Sequence, residues 1–206
     1  MPLDDARRFA QIAPGELREG LTLQSPETEP TREPIMKVRD NNSFYVEAND
    51  DFSIPYSKGL YVDIFPFIAY PNVSKGFCKK YGKGMSKCYS ILHHSHTYSW
   101  RAAAELLWFG AKQMWYSLRW KWAFATKRCD TFMSNVLINN GYGIMHRQDS
   151  IFPVGTISFE GKTFAAPCNP DAYLSDLYRN YMDIPPKEKQ KVHAVFIMPE
   201  LIEEEK

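Results

Sequence analysis

The sequence predicts an α+β fold built as a single domain over residues 1–206. Three observations support this prediction: short strand-type apolar runs occupy the first third, a helical apolar period covers 100–127, and a hairpin pattern lies near 154–166. A chain of 206 residues is long enough to bury one core. We therefore expect a sheet-bearing part over 1–75 and a mostly helical part over 76–206.

The charges of the chain are nearly balanced. Lys plus Arg is 25 and Asp plus Glu is 24, giving a net charge of +1, so we expect no nucleic-acid partner. The chain has no apolar run of about 18 residues, and its start lacks the apolar segment of a signal peptide, so we expect no transmembrane span. Wide cysteine spacing favours free thiols in a reducing compartment and a cytoplasmic protein: Cys78, Cys88, Cys129 and Cys168.

The first third predicts one short helix followed by strands. Proline-rich and Asp-Asn-Asn segments between the apolar runs indicate a surface loop and a turn. The expected elements, in order, are a helix over 3–12 that ends at Pro14 and Gly15, a strand over 20–24, a loop over 25–34, and strands over 35–39 and 43–48 that flank the turn 40–42.

Asp63 is a single carboxylate inside an apolar strand-type run at 59–67. Burial of a carboxylate is costly unless it is paired, hydrogen-bonded or metal-bound. Pro66 cannot donate to a strand ladder, so we expect Asp63 near the end of a central strand. The residue is then either a functional group or a structural Asp bonded to backbone amides, and its neighbours are expected core residues: Leu60, Val62, Ile64 and Phe65.

The segment 76–84 is basic and contains three glycines. It is either a phosphate-binding loop or a solvated basic loop, and it lacks the Gly-Lys-Ser/Thr ending of a Walker sequence. The pattern favours the solvated loop. A zinc site is a further alternative, although its ligands fit the usual spacing poorly: Cys78, Cys88, His93, His94 and His96.

The segment 100–127 has the period of a long amphipathic helix. Its apolar stripe consists of Leu107, Ala111, Met114, Leu118 and Trp122. Several tryptophans beside Arg and Lys are compatible with a helix that contacts a membrane surface or a partner. A core helix whose cations extend to solvent is the interpretation that the pattern favours. Asp130 is expected to cap a second helix that ends at 139–141.

The last third predicts a β-hairpin and then a helix. Strands over 156–159 and 163–165 flank a turn containing Gly161. Asn169 and Pro170 have the residue types of an N-cap and a first helical position, so we expect a helix over 171–180.

An ordered set of short motifs resembles the LicD family, the phosphorylcholine-transferase group related to fukutin. The motifs are Gly-x-x-x-Asp-Ile-Phe-Pro at 59–66, Asp-Ser-Ile-Phe-Pro at 149–153, Phe-Glu-Gly-Lys-Thr-Phe-Ala-Ala-Pro at 159–167, Asn-Pro-Asp-Ala-Tyr-Leu at 169–174, Leu-Tyr at 177–178, the segment 181–186, Lys-Val-Arg-Asp-Asn at 37–41 and parts of 1–24. The resemblance implies a nucleotidyltransferase-like mixed sheet flanked by helices.

The resemblance also implies an activity. A phosphocholine-type group would move from a cytidine-diphosphate carrier to a sugar of a surface glycan such as lipopolysaccharide or teichoic acid. Such a reaction uses Mg²⁺ or Mn²⁺ to neutralise the diphosphate and to orient in-line attack. Asp63 corresponds to the carboxylate expected to bind the metal or to accept the proton of the acceptor hydroxyl.

Further positions are candidates for binding the substrates. Lys37 and Arg39 alternate with apolar residues and are expected to share one strand face, which either contacts diphosphate oxygens or is a plain exposed face. The other candidates are Asp40 in the matching turn, His193 as a phosphate contact, and three tyrosines that either surround a quaternary ammonium group or pack in the core: Tyr173, Tyr178 and Tyr181.

One departure from the family defines the competing hypothesis. The family carries an Asp-Asp-x-Asp strand just upstream of the segment that matches Met1, and the given sequence starts after it. The alternative is therefore a non-catalytic remnant, or a binding or assembly partner of a complementing N-terminal fragment. A zinc-stabilised adaptor and a peripheral contact with the inner face of a membrane are the remaining hypotheses.

Overall fold

The structure is a computed structural model that describes residues 1–25, 35–48, 50, 52–53, 57–93 and 97–200. It confirms the predicted α+β class. The chain divides into two compact units, Met1–Pro66 with Pro185–Lys206, and Phe67–Ile184. The C-terminal segment thus belongs to the same unit as the N-terminal third, and the single-domain interpretation stays a prediction.

The described elements are short strands and helices of very different lengths. In chain order they are α1 Leu3–Glu16, β1 Leu21–Gln24, β2 Met36–Asp40, β3 Phe44–Glu47, β4 Tyr61–Ile64, β5 Phe67–Tyr70, α2 Lys75–Leu92, α3 Trp100–Thr126, β6 Phe132–Asn135, β7 His146–Arg147, α4 Gln148–Ile151, β8 Gly155–Phe159, β9 Lys162–Ala166, α5 Pro170–Tyr178 and β10 Ala194–Met198.

The pairing of these strands differs from the mixed sheet that the resemblance implies. The described strands form four small sheets, ordered β1-β2-β4, β10-β3, β5-β6-β7 and β8-β9. Every described pair is antiparallel. A parallel pair needs a crossover of a dozen or more residues, whereas the two-residue turn between β8 and β9 allows only antiparallel pairing.

In the first unit, α1 covers one face of the β1-β2-β4 sheet. Ala6 and Ala13 of α1 are buried with Leu23 of β1 and Met36 of β2. The spacing of the two alanines, seven residues apart, puts both on one helix face. The helix continues through Pro14 to Glu16, beyond the predicted end, with Pro14 in its last turn.

In the second unit, two sequence predictions are wrong. The segment 76–84, expected as a basic loop, is part of helix α2. Ser74 caps the start of this helix, since its Oγ accepts a 3.1 Å hydrogen bond from the amide of Phe77. Cys78, Tyr81 and Cys88 give α2 a buried face. The helix expected after Asp130 is instead strand β6 and a single 3₁₀ turn, because 132–135 pairs with both β5 and β7.

The amide of Asn140 joins several segments in the core of the second unit. Its Nδ2 donates to Tyr70 Oη at 3.1 Å, to Ser134 Oγ at 3.2 Å and to the carbonyl of Ile144 at 2.7 Å. Its Oδ1 accepts from the amide of Ile144 at 2.8 Å. The side chains around it form the main buried cluster of the described residues: Tyr70, Cys78, Tyr81, Trp120, Leu137 and Met145.

The hairpin and the late helix confirm the sequence predictions. β8 and β9 pair in register from Gly155–Ala166 to Phe159–Lys162. Asn169 Oδ1 accepts a 3.0 Å hydrogen bond from the amide of Ala172, and Pro170 starts α5. The two features are local, so the residue types alone determine them.

The apolar stripe predicted on α3 lies on the solvent side of the helix, so the favoured interpretation of that stripe as core is wrong. Leu107 is 77% exposed and Met114 is 63% exposed. The buried positions of α3 are Trp120 and Ala123, on a different face. None of the helices among the described residues combines the length and the apolar character needed to cross a bilayer.

Two helical glycines provide a matched test of this packing. A Cβ at Gly82 would lie 2.1 Å from the carbonyl oxygen of Asn140, whereas a Cβ at Gly110 would meet no atom within 4 Å. We expect Gly82→Ala to lower the free energy of unfolding by about 1–3 kcal/mol. Gly110→Ala should raise it by about 0.5–1 kcal/mol through helix propensity. Urea unfolding checks both, and stabilisation by Gly82→Ala would contradict the close approach.

Candidate functional site

The polar face of the β1-β2-β4 sheet is the candidate site in the first unit. Its side chains alternate with those that pack on α1, and we call this surface the polar sheet face: Thr22, Gln24, Lys37, Arg39, Tyr61 and Asp63. The strand register places Lys37 opposite Asp63 and Arg39 opposite Tyr61. The prediction that Lys37 and Arg39 share one face is therefore confirmed.

Asp63 forms an ion pair with the residue opposite it. Its Oδ1 lies 3.4 Å from Lys37 Nζ, and the two side chains are 35% and 13% exposed. The expectation of a buried Asp in a central strand is wrong, because β4 is the edge strand of its described sheet. Val62 is 68% exposed and Phe65 is 38% exposed, so neither is a core residue. An edge carboxylate keeps contact with water and needs no burial compensation.

The ring of Tyr61 lies against both cations of the polar sheet face. Lys37 Nζ is 4.0 Å and Arg39 Cζ is 4.7 Å from the ring centroid. The hydroxyl of Tyr61 donates a 2.8 Å hydrogen bond to Glu47 Oε1. Burial, and then this bond to Glu47, raise the pKa of Tyr61. The hydroxyl is thus a fixed donor, and the ring face orients the two cations.

Sequence reasoning missed Tyr61 and Glu47. Tyr61 precedes Asp63 by two residues, and side chains two residues apart on a strand share one face. The alternation that places Lys37 and Arg39 on one face therefore also places Tyr61 beside Asp63. Glu47 lies on β3, which pairs with β10 in another sheet, and its place beside Tyr61 has no local sequence signal.

Arg39 and Asp40 have structural contacts of their own. The guanidinium of Arg39 is buried, and its Nε donates to Gln24 Oε1 at 2.7 Å. Its Nη1 donates to the carbonyl of Gly59 at 3.2 Å, so Arg39 ties β1 and the segment before β4 to β2. Asp40 Oδ1 accepts a 2.9 Å hydrogen bond from the amide of Asn42, which closes the predicted turn. Phosphate binding by either residue stays a prediction.

The remaining candidates are distributed over both units. His193 is exposed, directly before β10 in the first unit. Tyr173 and Tyr178 are on α5 in the second unit, where Tyr178 is 68% exposed. Tyr181 donates to Asp171 Oδ1. Tyr173 stacks instead on the ring of His146, at 4.4 Å between centroids, so it is part of a different cluster.

This His146 cluster was not predicted from the sequence. The imidazole is 1% exposed and lies between the rings of Phe67, at 5.9 Å, and Tyr173. Its Nδ1 is 3.4 Å from Asp176 Oδ2, an ion-pair distance without the alignment of a hydrogen bond. Asp176 also lies 3.5 Å from Lys75 Nζ. Burial lowers the pKa of His146, and the carboxylate of Asp176 partly opposes that effect.

The described residues do not fit a magnesium cage. Among them, no group of three or more His, Cys, Asp or Glu side chains is close enough to hold a metal ion. Asp63 supplies one carboxylate to the polar sheet face, and an ammonium group already pairs with it. A divalent cation needs several oxygen ligands at once.

The zinc alternative is not supported within the part of the chain that the structure describes. Cys78 is fully buried in the core, and burial raises its pKa to about 12, which disfavours the thiolate that binds metals. His93 stacks on Tyr89 near the end of α2. His94 and His96 lie outside the described residues.

Comparison of the chain with protein-family models, curated proteins and solved structures finds no match in any of the three. The resemblance to the LicD family therefore stays a prediction that depends on the motifs themselves.

The buried imidazole predicts a pH dependence of stability. The pKa of His146 is lower in the folded chain than its ordinary value of 6.5, so the unfolded chain binds the proton first as the pH falls. The stability gained by burying the neutral imidazole is therefore complete above pH 6.5. It is lost as the pH falls below 6.5, and the free energy of unfolding then decreases by at most about 1.4 kcal/mol per pH unit. Urea unfolding, repeated between about pH 7.5 and about pH 5 in steps of about half a pH unit, measures that slope.

The matched variants are His146→Gln and His193→Gln, the latter at an exposed position. His146→Gln should flatten the acid slope, and His193→Gln should leave it as in the wild type. Equal slopes for the wild type and His146→Gln would contradict the prediction.

Proposed function

We propose that this chain is a LicD-like protein that binds a cytidine-diphosphate alcohol on the polar sheet face. It would take part in transfer of the phospho-alcohol to a glycan sugar. The observation that carries the proposal is the cross-strand pair of Lys37 and Asp63, whose Nζ and Oδ1 are 3.4 Å apart beside the ring of Tyr61. In this pair, the ammonium group of Lys37 would contact a phosphate oxygen, and the carboxylate of Asp63 would act as the base.

In this proposal, a diphosphate oxygen replaces Asp63 as the partner of Lys37. The buried guanidinium of Arg39 keeps the ring of Tyr61 in place and so limits the movement of the ammonium group. Asp63, partly exposed, is released toward the acceptor. The binding energy comes from exchanging the partly buried ion pair of Lys37 and Asp63 for a charge-assisted contact between Lys37 and phosphate.

The transfer step balances without further reactants. The sugar hydroxyl attacks the phosphorus that carries the alcohol, and the bond from that phosphorus to the bridging oxygen breaks. Cytidine monophosphate leaves, and the hydroxyl proton moves to the carboxylate of Asp63. Mg²⁺ or Mn²⁺ stays an expectation of the resemblance, and the experiment treats it as a variable.

The proposed compartment is the cytoplasm. All four cysteines carry free thiols, which is typical of proteins in reducing surroundings.

Calorimetric titration with cytidine-diphosphate choline tests the proposal, with and without Mg²⁺ or Mn²⁺. Lys37→Met should weaken donor binding by about tenfold to a hundredfold, the value of a charge-assisted contact. Asp63→Asn should keep or tighten metal-free binding, because it removes the anion that competes for Lys37. It should abolish transfer to an acceptor sugar, because the proposed proton acceptor is lost.

Asp4→Asn is the matched control, because Asp4 also pairs with a cation, Arg7 at 3.2 Å, on an exposed surface. Its donor affinity should equal that of the wild type. A folded wild-type chain that binds no donor with either metal would refute the proposal.

A second candidate function is that of an assembly partner, which the free edge of β4 favours. β4 pairs with β2 on one side, and no described strand pairs with its other side. Edge strands with exposed apolar residues are templates for pairing with another chain, and Val62 is 68% exposed.

Light scattering over a range of protein concentrations tests this candidate. If β4 mediates association, the mass should rise with concentration, and Val62→Lys should suppress that rise because edge lysines oppose strand pairing. Ile184→Lys is the control at an 86% exposed position outside any strand. A monomer at every concentration would argue against self-association through β4.

A further inference from the structure

The α2–α3 hairpin presents an uncovered apolar surface. We call it the α3 stripe: Trp100, Leu107, Trp108, Ala111, Met114, Leu118 and Trp122. Leu107, Trp108 and Leu118 are 77%, 60% and 59% exposed. The helix has 27 residues, so the stripe extends over most of a length of about 40 Å. Contiguous exposed apolar surfaces of this kind usually mark an interaction site.

The stripe is bordered by cations that contact its aromatic rings. Lys112 Nζ lies 4.8 Å from the ring centroid of Trp108, and Arg119 Cζ lies 5.1 Å from that of Trp122. With 100° between successive residues, these two cations and Arg101 fall on one edge of the stripe. That edge is the one next to Tyr116 and α2.

Helix α2 extends the same basic border. It contains five lysines and no acidic residue, and α3 contains a single acidic residue, Glu105. An open groove of about 420 Å³ between the helices is lined by Lys79, Lys80, Lys83 and Lys87, together with Gly76, Gly84 and Tyr116. Lys87 of α2 and Lys112 of α3 both lie within 6 Å of the ring of Phe109, at 5.8 and 5.7 Å. The lysine groove and the border of the stripe are therefore continuous.

We propose that this hairpin docks the second unit on an anionic lipid bilayer. The α3 stripe enters the boundary between headgroups and acyl chains, and the lysines of the groove lie over the anionic headgroups. The apolar stripe would then meet the acyl chains, the edge of aromatic rings and cations would lie at the interface, and the lysine groove would face the headgroups. This inference is independent of the phospho-alcohol transfer proposed for the polar sheet face.

The positive charge of the hairpin indicates which kind of partner would cover the α3 stripe. A second copy would bring two strongly basic hairpins together, which is unfavourable. Nucleic acid would satisfy the lysines and leave the apolar stripe uncovered. α3 carries several cations along its length and is not a membrane span, so it would lie in the plane of the interface. An anionic bilayer satisfies both the charge and the apolar surface.

Tryptophan fluorescence reports on this helix alone. The chain contains five tryptophans, and all of them, Trp100, Trp108, Trp115, Trp120 and Trp122, belong to α3. The full chain is mixed with vesicles of phosphatidylcholine alone, or of phosphatidylcholine with phosphatidylserine, and is then sedimented. With the anionic vesicles we expect co-sedimentation that weakens with salt, a blue shift of the emission, and quenching by brominated acyl chains.

Paired variants separate the two contributions. Leu107→Gln with Leu118→Gln should weaken vesicle binding by about tenfold per residue and abolish the blue shift, since each leucine loses an apolar contact. Lys79→Gln with Lys83→Gln should weaken it by about fivefold per residue on the anionic vesicles. Glutamine has nearly the helix propensity of leucine and lysine, so circular dichroism should remain that of the wild type.

The control pairs change exposed residues elsewhere: Met182→Gln with Val192→Gln, and Lys162→Gln with Lys187→Gln. Both should bind vesicles as the wild type does. The proposal is overturned if the wild type does not bind anionic vesicles or if the stripe variants bind them equally well. It is also overturned if light scattering shows a dimer that the leucine variants dissociate, because a second copy would then cover the stripe.

Discussion

The second unit depends on the hydrogen bonds of one buried amide, that of Asn140. Its side chain joins Tyr70 of β5, Ser134 of β6 and the backbone of Ile144, so β5 and the distant segment 134–144 share one polar centre. Its carbonyl lies so close to α2 that only glycine fits at position 82. A buried amide is stable only when its donors and acceptors are paired, so this centre fixes where α2 lies against the strands.

That position of α2 determines which face of α3 is buried. A Cβ at Gly84 would lie 2.5 Å from Cζ of Tyr116, so the two helices approach each other closely there. The contact selects the face of α3 with Tyr116, Trp120 and Ala123, whereas the α3 stripe points away. The sequence period correctly predicts a helix from Trp100, but α3 has two apolar faces, and periodicity cannot identify which one a partner helix covers. The choice is made by residues of α2, whose own helix was missed because its lysines and glycines resemble a loop.

The same distinction between local and non-local information applies to the polar sheet face. Alternation along β2 places Lys37 and Arg39 on one side, and that inference needs only the strand period. The exposure of Asp63 depends instead on the number of neighbours that β4 has, which a single strand sequence does not encode. The bond between Tyr61 and Glu47 likewise requires two strands that belong to different sheets. The sequence thus predicts which residues share this face, but it does not predict how exposed they are or which residues of other strands contact them.

Both proposed surfaces place cations beside aromatic rings, but the burial of those cations differs. Arg39 is buried and hydrogen-bonded to Gln24 and Gly59, so the cation against Tyr61 has a fixed position. Arg119 beside Trp122 is exposed on the outer side of α3. A fixed cation that holds the ring of Tyr61 in place suits a small ligand whose phosphates contact Lys37, since the site loses little conformational entropy on binding. Exposed cations on long side chains suit a fluid lipid surface, where headgroups take many positions and orientation is not required. The difference in burial therefore supports the two proposals, a defined ligand on the polar sheet face and a bilayer on the helical hairpin.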